Sequence, residues 1–526
     1  MSADVDIVII SCGKLPHLRK FTQGAIASCR KSSDKLIFNI TVVETHEDGE
    51  KEYEGADRTV FWVPSDGQFN YNRVLNFGTH FGDAPYVVHA NNDLRFHPHW
   101  AERLIQTMQK YKIRSVSPRC PRHAEQKKFR GQKEPAYGYA IRQEMSGWCV
   151  MMERSLWREL GGLWEDVPYW YSDVMYVDQL QAADVKHALV PLSLVTHWAN
   201  RTTRKLPKEP RREMTQGAKP HYQKAKRIRA ATMTSPYANL GFAKENVPGK
   251  ELSTLKIGGP LRHVLRPNNL ESLKKACLRA DDRDDPVLML GGGSNILFPD
   301  EGWPGLVILT KDLSHFHMEN KLAVAWPGLM YASFLRQAAL RNLAGVFQIA
   351  HVPGTMGGSV VMNAGFGPTE GKDIAKYLVR VEVFNREKAK TVTLTKEQCQ
   401  FGYRTSIFRG RPDLLVLRSY FTLPAMDRKA AESTIVSSQK SAAKFIRACG
   451  QGCPNAGSVF IHTSYDPPKG VKGMNRGGAC WSETNPNWIN NLGGATAADV
   501  KWLIDEAKRL CKEQGKPEPE LELIVV

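Results

Sequence analysis

Two glycine-rich segments carry the first chemical signal. In VLMLGGGSNILF, residues 287–298, Gly291, Gly292 and Gly293 and then Ser294 and Asn295 separate two apolar runs. Further on, VPGTMGGSVVMNAG places Pro353, Gly354, Thr355, Gly357, Gly358, Asn363 and Gly365 in a second turn of this kind. Glycine is kept where a backbone must approach something closely, because it otherwise weakens strands and helices. Tight glycine turns bring backbone N–H groups against a diphosphate. The first turn has no Lys-Ser/Thr, so it is not a P-loop, and strand-like NILF rather than a helix follows it. Two such turns suit an extended dinucleotide such as FAD. A different chemistry is offered by YVVHANNDLRF, where an apolar strand ends in Asn91-Asn92-Asp93. A carboxylate at the open end of a parallel strand can supply a hard oxygen to Mg²⁺ or Mn²⁺ bridging a diphosphate.

The elements that must hold these residues alternate. VDIVII, FNITVV, TVFWV and PYVVHA read as strands, while LRKFTQGAIASC and HWAERLIQTMQKY carry apolar residues at helical spacing. This predicts an α/β domain with a mainly parallel sheet, whose ligands bind at the C-terminal strand ends. After residue 200 comes NRTTRKLPKEPRREMTQGAKPHYQKAKRIR, with eleven Lys/Arg and few apolar residues, which reads as a basic linker or arm. Glycine-punctuated strands and helices follow, then a long helix around Ala498–Gln514 and EPELELIVV.

The chain has 526 residues, enough for two or three domains, and a formal net charge of +18, which favours an anionic substrate or partner. Ten cysteines are scattered, with only Cys449 and Cys453 close together, so no disulfide framework or zinc-ligand spacing is read. No signal-peptide pattern or membrane-length apolar run is seen, and a cytoplasmic protein is expected.

The order of DIVIISCGKLPHLRK, NND, SGWCVMMERSLWRELGGLWED, YWYSDVMYVDQLQ and VTHW resembles family 2 glycosyltransferases of the GT-A type over residues 4–200. The resemblance implies that Asn92 and Asp93 bind a sugar nucleotide, with Asp93 and His197 on the metal. It also implies that Glu44 contacts the nucleoside and that Asp173 is the base, with Asp178 in reserve.

From residue 243 on, STLKIGGP, LGGGSNILF, VPGTMGGSVVMNAG, CQFGYRTSIF, NAGSVF, GGACWSE, ATAADV and EPELELI resemble UDP-N-acetylenolpyruvoylglucosamine reductase, the MurB-type flavoenzyme. The implied fold is an FAD-binding domain of the PCMH type followed by a small substrate domain. The glycine turns would hold FAD, and NADPH would donate electrons. Ser458 would protonate the substrate, while Arg404 and Glu520 would meet its developing charge. Where the family has Lys-Asn after the serine motif, this chain has Ile461-His462-Thr463, and Phe366 replaces a tyrosine.

The expected organisation is therefore a GT-A domain at 1–200, a basic linker at 201–242, an FAD-binding domain at 243–425 and a MurB-type C-terminal domain at 426–526. The expected function is a bifunctional glycosyltransferase and FAD-dependent oxidoreductase, with a nucleotide-sugar donor and, from the basic charge, DNA or a glycan as acceptor. The alternative is a cell-wall precursor enzyme that reduces enolpyruvyl-UDP-GlcNAc and carries an attached transferase domain.

Overall fold

Strand Val5–Ser11 is apolar on both faces because it lies inside a sheet covered on both sides. In this computed structural model it pairs in parallel with Phe38–Glu44 on one side and Tyr86–Ala90 on the other. The structure describes residues 3–13, 16–46, 52–62, 69–168, 170–198, 218–232, 235–319, 321–365, 372–450 and 452–526. It divides into two units, Met1–Thr234 with Asn239–Gly241, and Ser235–Ala238 with Phe242–Val526.

The first unit is built on one mixed sheet. Its strands run in the order Arg58–Phe61, Phe38–Glu44, Val5–Ser11, Tyr86–Ala90, Cys149–Glu153, Ser115–Arg119, His187–His197 and Leu94–Phe96. The first four are mutually parallel, and Cys149–Glu153 enters antiparallel between Tyr86–Ala90 and Ser115–Arg119. Helices Pro16–Arg30 and Trp100–Tyr111 bury their apolar stripes in a core that includes Ile7, Ile26, Ile40, Val88, Trp100 and Leu104. The basic stretch is not linker throughout: Ala218–Thr232 is a helix, on which Tyr222 packs near Trp164 and Met175. The remaining basic residues of the expected linker, 201–217, lie outside the described residues.

Among its described residues the second unit has three larger sheets. One runs Gly241–Pro248, Pro260–Pro267, Trp303–Leu309, Val287–Leu290, and its last three strands are parallel. A five-stranded antiparallel sheet runs Phe316–Glu319, Leu322–Ala325, Leu414–Phe421, Leu378–Asn385, Lys390–Thr395. The third, antiparallel, runs Asn455–Ser458, Trp488–Asn491, Ala479–Trp481, Asn475–Arg476. A short parallel pair joins Ile296–Leu297, just after the first glycine turn, to Ile524–Val525 near the C-terminus. Among the described residues no helix is long and apolar enough to cross a membrane. All ten cysteines are free thiols.

Candidate functional site

In the second unit a cavity of about 1660 Å³ is lined by both glycine turns, by Arg404, Ser458 and His462, and by Leu521–Val525. The two turns are tied together: the Ser294 hydroxyl donates to the Pro353 carbonyl at 2.8 Å. Their glycines have different surroundings. A Cβ on Gly291 would lie 2.2 Å from Thr355 Oγ1, and one on Gly293 would lie 1.9 Å from the Leu252 carbonyl oxygen. One on Gly292 would meet only the Gly354 Cα at 3.7 Å, and one on Gly358 only Thr355 Oγ1 at 3.9 Å. Gly292, Gly354 and Gly358 thus leave open space where a ligand can touch backbone. Thr355 Oγ1 is buried with no hydrogen-bond partner, an orphan that a ligand oxygen would satisfy. These residues fit the diphosphate of a bound dinucleotide.

Three of the expected cofactor residues serve the protein itself. Gly357 packs on the Pro327 carbonyl, to which its N–H donates at 2.9 Å. Asn363 is buried, donates to the Gly402 carbonyl at 2.9 Å and accepts from the Ala375 N–H at 3.3 Å. Asn295 donates to the Glu522 carbonyl at 3.0 Å, pinning the C-terminal segment beside the first turn.

Arg404 has φ = +55°, an uncommon conformation for a side-chain-bearing residue. Its Nη2 donates to the Gly365 carbonyl at 2.8 Å and its Nε to Glu522 Oε1 at 3.1 Å. Ser458 ends strand Asn455–Ser458, and among the described residues its hydroxyl has no hydrogen-bond partner. Burial, and then the nearby Arg404 charge, push the His462 imidazole below its ordinary pKa, which favours its neutral form. Glu520 does not join this group. It is exposed and held through its backbone, with its N–H on Ser464 Oγ at 3.0 Å and its carbonyl accepting from Ile461 at 2.8 Å. The carboxylate in the cavity belongs to Glu522, which sequence reasoning missed. The available signal was a charge inside the apolar run LELIVV, which demands a buried partner.

In the first unit, Glu44, Asn92 and Asp93 are all buried at the carboxyl ends of their strands. Glu44 is already engaged: its carboxylate accepts from Gly13 N at 2.7 Å, Thr45 N at 3.0 Å and Tyr53 OH at 3.0 Å. Asn92 donates to Thr22 Oγ1 at 3.3 Å. Asp93 Oδ1 lies 3.3 Å from His197 Nε2, and His197 Nδ1 lies 3.2 Å from His123 Nε2, with Trp148 stacked on the His197 ring. The two expected metal ligands therefore face each other. Among the described residues no group of three His, Cys, Asp or Glu side chains is arranged to hold a metal ion. The expected Mg²⁺ or Mn²⁺ would have one carboxylate and one imidazole here, and nothing further among the described residues supports it. Asp173 opens helix Ser172–Ala182, where burial raises its carboxyl pKa and its Cβ packs on Gly147. Asp178 is bonded to Tyr222 OH at 2.7 Å.

The cavity and its paired glycine turns suit a bound dinucleotide, and similarity to known proteins marks the second unit as an FAD-dependent oxidoreductase. The chain matches the FAD binding domain family over residues 261–395 and the UDP-N-acetylenolpyruvoylglucosamine reductase, C-terminal domain, over 417–526. It is 32% identical over 284 residues to the UDP-N-acetylenolpyruvoylglucosamine reductase of Bacillus velezensis, covering 52% of this chain and 91% of that protein. It is 32% identical over 303 residues to the same enzyme of Caldicellulosiruptor bescii, covering 55% and 92%. The crystal structure of UDP-N-acetylenolpyruvylglucosamine reductase from Thermus caldophilus aligns over 54% of this chain and 99% of that one, at 28% identity and a TM-score of 0.43. Through its second unit, the chain belongs to the UDP-N-acetylenolpyruvoylglucosamine reductase family.

Proposed function

We propose that the second unit reduces the enolpyruvyl ether of UDP-N-acetylglucosamine to the lactyl ether, with NADPH as electron donor. The observation that carries this reading is the single cavity that joins the glycine turns to Arg404 and Ser458. FAD bound there would supply two-electron hydride chemistry between NADPH and the double bond. The protein's own residues do the rest. Gly292, Gly354 and Gly358 admit the cofactor's diphosphate to the backbone. The Arg404 guanidinium meets the substrate carboxylate and the negative charge that develops beside it. The unpartnered Ser458 hydroxyl delivers the proton to the neighbouring carbon, closing the balance of one hydride and one proton. Glu520, next in sequence to the lining residue Leu521, is read as a further polar group at the edge of the site.

The test is stopped-flow absorbance of the flavin in each half-reaction. Ser458→Ala leaves reduction by NADPH near the wild-type rate and slows reoxidation by enolpyruvyl-UDP-GlcNAc by about 10²–10⁴-fold. Equal loss in both half-reactions refutes the proton-donor role.

For the first unit we propose a sugar-nucleotide site of GT-A type at the strand ends that carry Asn92 and Asp93. Its support is a parallel sheet that ends in buried polar side chains, as ligand sites in α/β sheets do. Asp173 is read as the base. Titration of the protein with UDP-sugars should show binding that Asp93→Ala weakens while the flavin spectrum is unchanged; equal binding by both proteins rejects the assignment. The basic character that suggested a DNA acceptor fits a UDP diphosphate equally well, and the second unit favours the cell-wall precursor reading.

A further inference from the structure

In the first unit, Arg142 stands on a loop that packs against Asp173. Its backbone is left-handed, with φ = +66°, and so is that of Tyr171, the residue before helix Ser172–Ala182, at +70°. Neither is a glycine, so both conformations cost energy that the surrounding structure must sustain. The two strained residues bracket one side chain. A Cβ on Gly147 would come 2.5 Å from the Asp173 Cβ, which brings the Arg142 loop directly onto the first turn of that helix. The loop is stapled in place. The Arg142 N–H donates to the Met145 carbonyl at 2.9 Å, and Gln126 Nε2 donates to the Gln143 carbonyl and to the Ser146 hydroxyl, both at 2.8 Å. The far end of the loop reaches the other half of the site. Trp148 stacks on the His197 ring, and its carbonyl accepts from the Asn91 N–H at 3.0 Å.

The side chain on this strained residue has no task within the protein. Arg142 is exposed, and among the described residues its guanidinium makes no hydrogen bond or ion pair. The charges around it are engaged elsewhere. Glu144 lies 3.8 Å from Lys128 Nζ and accepts from the Ala140 N–H at 3.3 Å. Arg122 lies over the Trp198 ring at 4.9 Å, and Arg119 donates to the Pro191 carbonyl at 3.0 Å. Asp93 faces His197 at 3.3 Å. The Arg142 charge still reaches the site: burial raises the Asp173 carboxyl pKa, and the N–H groups of the helix start and then Arg142 pull it back.

We propose that Arg142 is a phosphoryl-binding residue, whose guanidinium receives an oxyanion of a phosphate or diphosphate at the strand ends that carry Asn92 and Asp93. This deepens the sugar-nucleotide reading of the first unit, in which that oxyanion belongs either to the donor's diphosphate or to a phosphate on the acceptor.

A phosphoryl group that enters beside the Asp93 and Asp173 carboxylates needs a cation to offset them. A guanidinium offers a planar fork that matches two phosphoryl oxygens, which a lysine ammonium cannot reproduce. Holding that fork on a stapled loop fixes its position before the ligand arrives, so less freedom is lost on binding. The strain is the cost of that position, and no contact of the side chain with the protein offsets it.

The strain also supplies the test. Glycine adopts the left-handed conformation freely, so Arg142→Gly removes the guanidinium and relieves the backbone together. Pyrophosphate, inorganic phosphate, UDP and uridine are titrated calorimetrically into full-length, FAD-loaded wild type, Arg142→Gly and Arg142→Lys, and each protein is melted without ligand. The second unit is the same in all three, so a difference between them reports the first. Arg142→Gly should melt at or above the wild-type temperature, yet one class of phosphoryl sites should weaken at least about tenfold. Arg142→Lys should fall between, and uridine, which has no phosphoryl group, should bind alike to all three. Equal phosphoryl binding by wild type and Arg142→Gly overturns the proposal. So does a melting temperature well below wild type, or a loss of uridine in step with the phosphoryl ligands, since either marks a structural role. Competing UDP and pyrophosphate that both weaken assign the oxyanion to the donor. Inorganic phosphate that binds alongside UDP, and alone weakens, assigns it to the acceptor. If pyrophosphate or phosphate depends on Arg142 while UDP binding does not depend on Asp93, the phosphoryl site stands and the sugar-nucleotide reading fails. If UDP binding depends on Asp93 and nothing depends on Arg142, the reverse holds.

Discussion

Gly292 and Gly293 are adjacent, yet a side chain would meet different things at each. At Gly293 the backbone has φ = +65° and a Cβ would sit 1.9 Å from a carbonyl oxygen, so Gly293→Ala strains the fold itself. A Cβ at Gly292 would have its nearest neighbour, the Gly354 Cα, 3.7 Å away, which leaves space open to a ligand. Gly292→Val should therefore unfold near the wild-type temperature but bind FAD at least about tenfold more weakly, a loss of ~1.4 kcal/mol. Gly293→Ala should lower the unfolding temperature of apoprotein by the equivalent of about 1–3 kcal/mol. Thermal melts with and without FAD separate the two. The turns were legible in the sequence because three glycines between apolar runs have few other uses. Glu522 was not, because its partner Arg404 stands 118 positions away and no local pattern records that distance.

The helix Ala497–Glu513 shows what is legible one scale up. Its apolar spacing predicts it to within a residue at each end, and Thr496 with Asp499 forms a capping box. Its first N–H groups are also satisfied from afar: Asp300 Oδ1 accepts from Ala497 at 2.8 Å and Oδ2 from Ala498 at 3.0 Å. Asp300→Ala leaves both donors without their carboxylate and removes a negative charge from the helix N-terminus. It should cost about 1–2 kcal/mol in urea unfolding, and a cost near zero would contradict the pairing. Helix Ala218–Thr232 was missed for the opposite reason. Its basic residues hide a narrow apolar stripe, Tyr222 and Ala225, too short to register as a period. NILF was readable as a strand, but its pairing with Ile524–Val525 depends on the folded chain alone.

At the scale of the whole molecule, a chain with net charge +18 carries one unit of mixed, partly parallel sheet and one unit enclosing a large cavity. The positive charge suggested anionic ligands as a class but could not choose between DNA and a nucleotide sugar, because charge acts at long range and without shape. The family relationship is consistent with a nucleotide sugar. The central claim is that this cavity passes electrons from NADPH to an enolpyruvyl double bond. It is tested by reducing the FAD-loaded, full-length protein anaerobically with one equivalent of NADPH, then adding enolpyruvyl-UDP-GlcNAc. The account predicts that the oxidised flavin spectrum returns and that one equivalent of the lactyl ether, UDP-N-acetylmuramate, forms per flavin. A flavin that stays reduced until oxygen is admitted, with the enolpyruvyl ether recovered intact, would contradict it.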